Sequence, residues 1–143
     1  MRLTEEDARD RLASVPVVRM ASTDDIGRPH LVVTTFAVDG DRIYSAVDAK
    51  PKSTRDLKRL RNIRADPRVA VLADHYEDDW TRLWWVRADA TAEVVEDPAA
   101  MARPIALLRE RYPQYRETPP EGPVITSTVE RWSGWAYGPA PGP

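Results

Sequence analysis

The stretch KPKSTRDLKRLRNIR, residues 50–64, sets Lys50, Lys52, Arg55, Lys58, Arg59, Arg61 and Arg64 against a single acid, Asp56, for a net charge of +6. The 143-residue chain as a whole carries −2, so everything outside this stretch sums to −8. A concentrated positive site on an otherwise acidic protein is a docking place for an anion. The local pattern puts that site at the start of a helix. Ser53 and Asp56 have capping-box spacing, Leu57, Leu60 and Ile63 recur along one side, and Asp66-Pro67 ends the helix because a residue before proline leaves helical dihedrals. A helix N-terminus offers unpaired N–H groups and about half a positive charge. Lys50, Lys52, the Ser53 and Thr54 hydroxyls and the basic side of the helix would then converge on one phosphate group. A solvated basic helix face and a helix docking on nucleic acid are the competing readings, and the second fits poorly with a pI near 5.7.

The remaining chemistry is sparse. There are no cysteines, which excludes disulfides and thiolate chemistry, and the two histidines make a multi-histidine metal site unexpected. No metal site is expected. His30 opens a strand, His75 lies between Asp74 and Tyr76 where a structural hydrogen bond is the expectation, and Asp78 and Asp79 read as a solvated turn. Tyr44, Tyr76 and Tyr137 are proton-donor candidates with nothing to promote one of them. No Ser-His-Asp order, glycine-rich phosphate loop or carboxylate pair of known spacing appears, so no catalytic residue is assigned.

The elements that must position the basic stretch follow from periodicity. Thr4-Glu5-Glu6-Asp7 caps a first helix with Leu3, Ala8 and Leu12 inward. Strands are expected over Val15–Ala21, His30–Val38, Arg42–Val47, Arg68–Ala73 and Leu83–Val95, the last with a bulge near Ala88-Asp89. Asp39-Gly40 makes a hairpin of the second and third. A helix follows Asp97-Pro98 as far as about Tyr112, kinked or delayed by Pro104. A loop covers Pro113–Pro123, and Val124–Arg131 with Trp132–Tyr137 end the fold as one bent strand or two. The expected architecture is mainly β with flanking helices, a six-stranded antiparallel barrel in one domain over residues 1–137. A disordered Pro/Gly tail is expected over 138–143. No apolar run reaches membrane-spanning length and the charged N-terminus is no secretory signal, so a cytoplasmic protein is expected.

The order of these motifs resembles the pyridoxamine-phosphate-oxidase-like split barrels that bind flavin mononucleotide (FMN). Within them it resembles the small actinobacterial class that uses the deazaflavin coenzyme F420. The residues that carry the resemblance are Gly27-Arg28-Pro29-His30 entering HLVVTTF, Ile43-Tyr44-Ser45, and Asn62-Ile63-Arg64-Ala65-Asp66-Pro67-Arg68-Val69. Asp74-His75-Tyr76, Asp79-Trp80 and Leu83-Trp84-Trp85-Val86-Arg87 add to it. The resemblance implies a flavin-type ring lying against Val32, Val33, Thr34, Thr35, Tyr44 and Ser45. It implies a phosphate held by Lys58 and Arg59, nine and eight positions before Pro67, with arginine where the family has lysine at the second of these. Lys50, Lys52 and Ser53 are implied to reach the phosphate or an anionic tail, and Trp132 corresponds to the family's Glu-x-Trp tryptophan.

One departure selects within the family. FMN-binding members place basic residues on the first barrel strand, at the positions of Val32 and Ala37, and here no base lies between His30 and Val38. That favours F420 over FMN. The implied activity is an F420-dependent oxidoreductase moving a hydride to or from a small organic substrate, and a non-catalytic flavin or deazaflavin carrier is the alternative. A homodimer with the cofactor at the subunit interface is implied. Neither nucleic acid nor a membrane is expected as a partner.

Overall fold

A computed structural model describes residues 1–47 and 57–138 of the chain. Lys50, Lys52, Ser53, the Ser53–Asp56 capping pair and the tail beyond Gly138 lie outside the described residues. Helix α1 (Glu5–Ser14) is capped by Thr4, whose hydroxyl accepts the Asp7 N–H at 3.1 Å, and it buries Ala8 and Leu12. The chain continues as β1 (Val18–Thr23), β2 (Pro29–Thr34), β3 (Ala37–Asp39), β4 (Arg42–Ala46), α2 (Lys58–Ala65) and β5 (Arg68–His75). A short 3₁₀ turn at Trp80–Arg82 then leads to β6 (Trp84–Val95), α3 (Pro98–Arg111), α4 (Pro113–Glu117) and β7 (Val124–Ala136). Among the described residues no helix is long and apolar enough to cross a membrane.

The strands form one antiparallel sheet of seven, ordered β2-β1-β5-β6-β7-β4-β3, where six were expected. The extra strand comes from the apolar run HLVVTTFAV, which reads as one strand and folds as two. β2 pairs with β1 from Thr23↔Pro29 to Val18↔Thr34, and β3 pairs with β4 from Ala37↔Tyr44 to Asp39↔Arg42. The two lie at opposite edges of the sheet, joined by only Thr35 and Phe36. A two-residue link between opposite edges requires the sheet to curl upon itself, and this is what makes it a split barrel. Phe36 enters the barrel interior, and Ala37, next in sequence, enters a second cluster with Tyr44, Ala46, Leu108, Tyr115 and Val124.

The break takes Phe36 out of the ladder, so its backbone groups need other partners. Tyr112 and Arg111 provide them. The Phe36 N–H donates to Tyr112 Oη at 3.1 Å, and that hydroxyl's own proton reaches the Pro16 carbonyl at 2.9 Å. Arg111 Nη1 donates to the Phe36 carbonyl at 3.2 Å, Arg111 Nη2 donates to the Val15 carbonyl, and the guanidinium lies 4.2 Å over the Phe36 ring. Thr35 Oγ1 shares a hydrogen bond with Tyr115 Oη at 2.7 Å. These clamping residues come from α3, which Asp97 caps through the Ala100 N–H and which continues through Pro104, and from the segment just after it. Helix α4 occupies part of the expected loop, with Pro113 at its first turn and Tyr115 turned into the second cluster.

The long strands are regular apart from one shift. β6 buries Val86, Ala88, Ala90 and Ala92, and its pairing with β7 slips between Asp89 and Ala90, close to the expected bulge. β7 is a single strand. At the end of α2, Arg68 returns two guanidinium bonds, at 3.0 and 2.8 Å, to the Asp66 carboxylate. Those bonds and the Arg68 backbone N–H hold the Asp66 carboxyl at about 2. Its contribution is therefore present above the ordinary aspartate range and lost as pH falls toward that value.

The clamp gives a direct expectation. Tyr112→Phe keeps the ring and leaves the Phe36 N–H without its acceptor, which should cost about 1–3 kcal/mol. Urea denaturation with an unchanged slope and a lowered midpoint is the expected result. An unchanged midpoint would mean that the break is held by other contacts.

Candidate functional site

Helix α2 is anchored by its apolar side and turns Lys58 toward the β1–β2 turn, while Arg64 pairs with Glu96 after β6 at 2.7 Å. Leu60 and Ile63 are buried in the barrel interior, and the buried Asn62 amide donates to Ser22 Oγ on β1 at 3.1 Å. One turn earlier on the same side, Lys58 Nζ lies 3.7 Å from Asp24 Oδ2. The described helix opens at Lys58, with Leu57 as N-cap and no side-chain cap.

Asp24 organises the turn that faces the helix. Its Oδ1 accepts the Arg28 N–H at 2.8 Å and the Ile26 N–H at 3.1 Å. The Arg28 N–H first, then the Ile26 N–H and the Lys58 charge, hold its carboxyl below the usual aspartate range. His30 stands opposite Ser22 in the ladder, and its Nδ1 is buried without a hydrogen-bond partner. The first turn of α2 thus carries Lys58, beside Asp24, and the half-buried Arg59. An anion here would find a helix N-terminus and two cations. The Lys58–Asp24 pair is half exposed on the lysine side, where water screens it, so an arriving phosphate can compete for the ammonium. Nearby, Leu60 and Arg64 of α2 line an open cleft of about 450 Å³ with Met101 and Pro123, a size suited to a small organic ligand.

The other residues implied by the resemblance are dispersed. Val32 packs inward against the barrel interior, while Val33 is 62% exposed on the outer face. Thr34 is buried, with its hydroxyl on the Thr35 carbonyl, and Thr35 is held by Tyr115 at the strand break. Tyr44 and Ser45 are both buried on opposite sides of β4, Tyr44 within the second cluster. Trp132 is 8% exposed, donates its indole N–H to Asp41 Oδ1 at 3.0 Å and lies under the Arg9 guanidinium, which ties it to α1 and the β3–β4 turn. Lys58 and Arg59 are therefore the implied ligands that the described residues bring together. Sequence reasoning missed the supporting Asp24, Ser22 and Asn62. The turn signal of Asp24 was legible, but nothing local pairs Asn62 with a serine 40 residues away.

Comparison with known proteins agrees with this architecture. Residues 4–136 match the family model described as pyridoxamine 5'-phosphate oxidase. A conserved hypothetical protein from Mycobacterium tuberculosis shares the fold with a TM-score of 0.77 at 24% identity, over 94% of this chain and 86% of that one. An FAD-binding protein from Mesorhizobium loti gives 0.69 at 20%, over 94% and 93%. The heme storage protein HutZ from Vibrio cholerae gives 0.69 at 18%, over 95% of both chains. At these identities the likeness is one of fold. No curated protein matches.

Proposed function

The chain belongs to the pyridoxamine 5'-phosphate oxidase family, and on that premise we propose that it binds a flavin-type cofactor, F420 in preference to FMN, as an oxidoreductase acting on a small organic substrate. The observation that carries the reading is the Lys58 ammonium beside Asp24 of the β1–β2 turn at the start of α2, with the half-buried Arg59 next to it in sequence. Neighbours of the same fold include FAD-binding proteins from two bacteria, which supports a flavin-type occupant. The preference for F420 rests on β2 and β3. Val32 is packed inward and Ala37 is 5% exposed, so neither position offers a cation to a phosphate.

When bound, the ring of such a cofactor takes up and returns a hydride. The chain's own part is to bind, orient and shield. Lys58 and Arg59 would hold the phosphate, with Lys50, Lys52 and Ser53 continuing along an anionic tail. The strand carrying Val32, Val33, Thr34 and Thr35 would present its backbone to the ring.

A homodimer is proposed on the outer face. Leu31 and Val33 are 68% and 62% exposed, and Leu72 is 36% exposed two strands away. Their register through Ala21 and Arg19 of β1 makes one patch of them. A large apolar patch rimmed by polar residues marks an association surface. Leu31→Glu, within it, should convert a dimer to a folded monomer in light scattering. A wild-type monomer would refute the proposal.

Fluorescence titration with F420 and separately with FMN tests the cofactor. Tight F420 binding, weakened at least about tenfold in both Lys58→Ala and Arg59→Ala, is expected. Preference for FMN would overturn the argument from β2 and β3. Unchanged affinity in both variants would remove α2 from the site. Reduction of a substrate by the bound, reduced cofactor separates an enzyme from a carrier.

A further inference from the structure

The cofactor reading leaves a histidine of β2 without a role. His30 is half-buried, and its Nδ1 is buried with no hydrogen-bond partner among the described residues. A buried polar atom left unpaired is costly, and a native fold keeps few of them.

Strand alternation fixes where the imidazole lies. Leu31 and Val33 are exposed on the outer face, so His30, Val32 and Thr34 share the inner one. Val32 packs against the barrel interior and Thr34 is buried, as that face requires. His30 is paired with the buried Ser22 of β1, and paired residues of an antiparallel ladder stand side by side on one face. Ser22 Oγ in turn accepts the amide of the buried Asn62 of α2 at 3.1 Å. Lys58 lies four residues before Asn62, hence on the same side of the helix, and its ammonium reaches Asp24, two residues beyond Ser22. The step from the Ser22–Asn62 contact to the Asp24–Lys58 contact is one helical turn, roughly 5 Å. His30 therefore belongs to the same junction of β1, β2 and α2 as Lys58.

The groups around it are committed elsewhere. On its own strand face Val32 is apolar, and the Thr34 hydroxyl donates to the Thr35 carbonyl at 3.0 Å. Asp24, the nearby acid of the turn, already takes the Arg28 and Ile26 N–H groups on Oδ1 and Lys58 on Oδ2. An imidazole N–H is a single directed donor, and a phosphate oxygen is an acceptor of matching reach. His30 is thus the side chain of this face of β2 still able to donate to an anion held at α2.

We propose that His30 is a further cofactor ligand, its Nδ1–H donating to the phosphate that Lys58 and Arg59 hold; this inference rests on the cofactor reading above. Fluorescence titration of the full chain with F420, and with the same ribityl deazaflavin lacking the phosphate, tests it. An asparagine amide overlies Nδ1 of a histidine, whereas a glutamine amide overlies Nε2. His30→Asn should keep F420 affinity within about threefold, and His30→Gln should weaken it at least about tenfold. The phosphate-free compound should not distinguish the wild type from either variant. Full F420 affinity in His30→Gln, equal losses in both variants, or the same loss with the phosphate-free compound would each overturn the proposal. Weakening by Lys58→Ala but not by His30→Gln would remove His30 alone, whereas a wild type that does not bind F420 removes the cofactor reading and this inference together.

Discussion

The backbone of Phe36 is where the fold is decided. A chain that must leave one sheet edge and enter the other within two residues gives up ladder hydrogen bonds in a water-poor place, where an unmade bond costs about 1–3 kcal/mol. The Tyr112 hydroxyl and the Arg111 guanidinium take over those bonds, and the same guanidinium covers the Phe36 ring. Arg111 is half-buried, and its partners at this point are the carbonyls of Phe36 and Val15. The clamp also joins the start of β1 to the end of α3, since Val15, Pro16 and Phe36 are all bound by two adjacent side chains.

With the edges joined, the rest of the barrel is constrained. The curl brings the β1–β2 turn against α2, where the Asn62–Ser22 bond and the Lys58–Asp24 pair fix the helix. The bases of α2 are thereby held at one end of an acidic molecule, where the field of the surrounding carboxylates makes an anion's preference for them local rather than diffuse. The outer face is left with two features of different character. One is the apolar patch of Leu31, Val33 and Leu72, and the other is a concavity lined by arginines and tryptophans of β6 and β7.

Much of this was legible in the sequence because it depends on near neighbours. Thr4 and Asp97 cap helices as their spacing requires, Asp66-Pro67 ends α2, and Trp84 and Trp85 separate to the two faces of β6. The strand break was not legible. HLVVTTFAV contains no glycine, proline or turn pair, and its division at Thr35-Phe36 is imposed by Arg111, Tyr112 and Tyr115, more than 70 residues later. Helix α4 was hidden for a related reason, since its buried side is essentially Tyr115, too little for a periodic pattern. At the site, the basic residues could be found by charge alone, whereas Asp24 and Ser22 become their partners only through the tertiary fold.

Crystals of the protein grown with F420 would locate the phosphate. The expected position is against Lys58 and Arg59 at the first turn of α2, with the Lys58 ammonium drawn away from Asp24 and the ring along β2 and β3. A phosphate seated elsewhere, for instance among the arginines of the outer face, with α2 unchanged and Lys58 still on Asp24, would contradict the assignment of α2 as the cofactor's anchor.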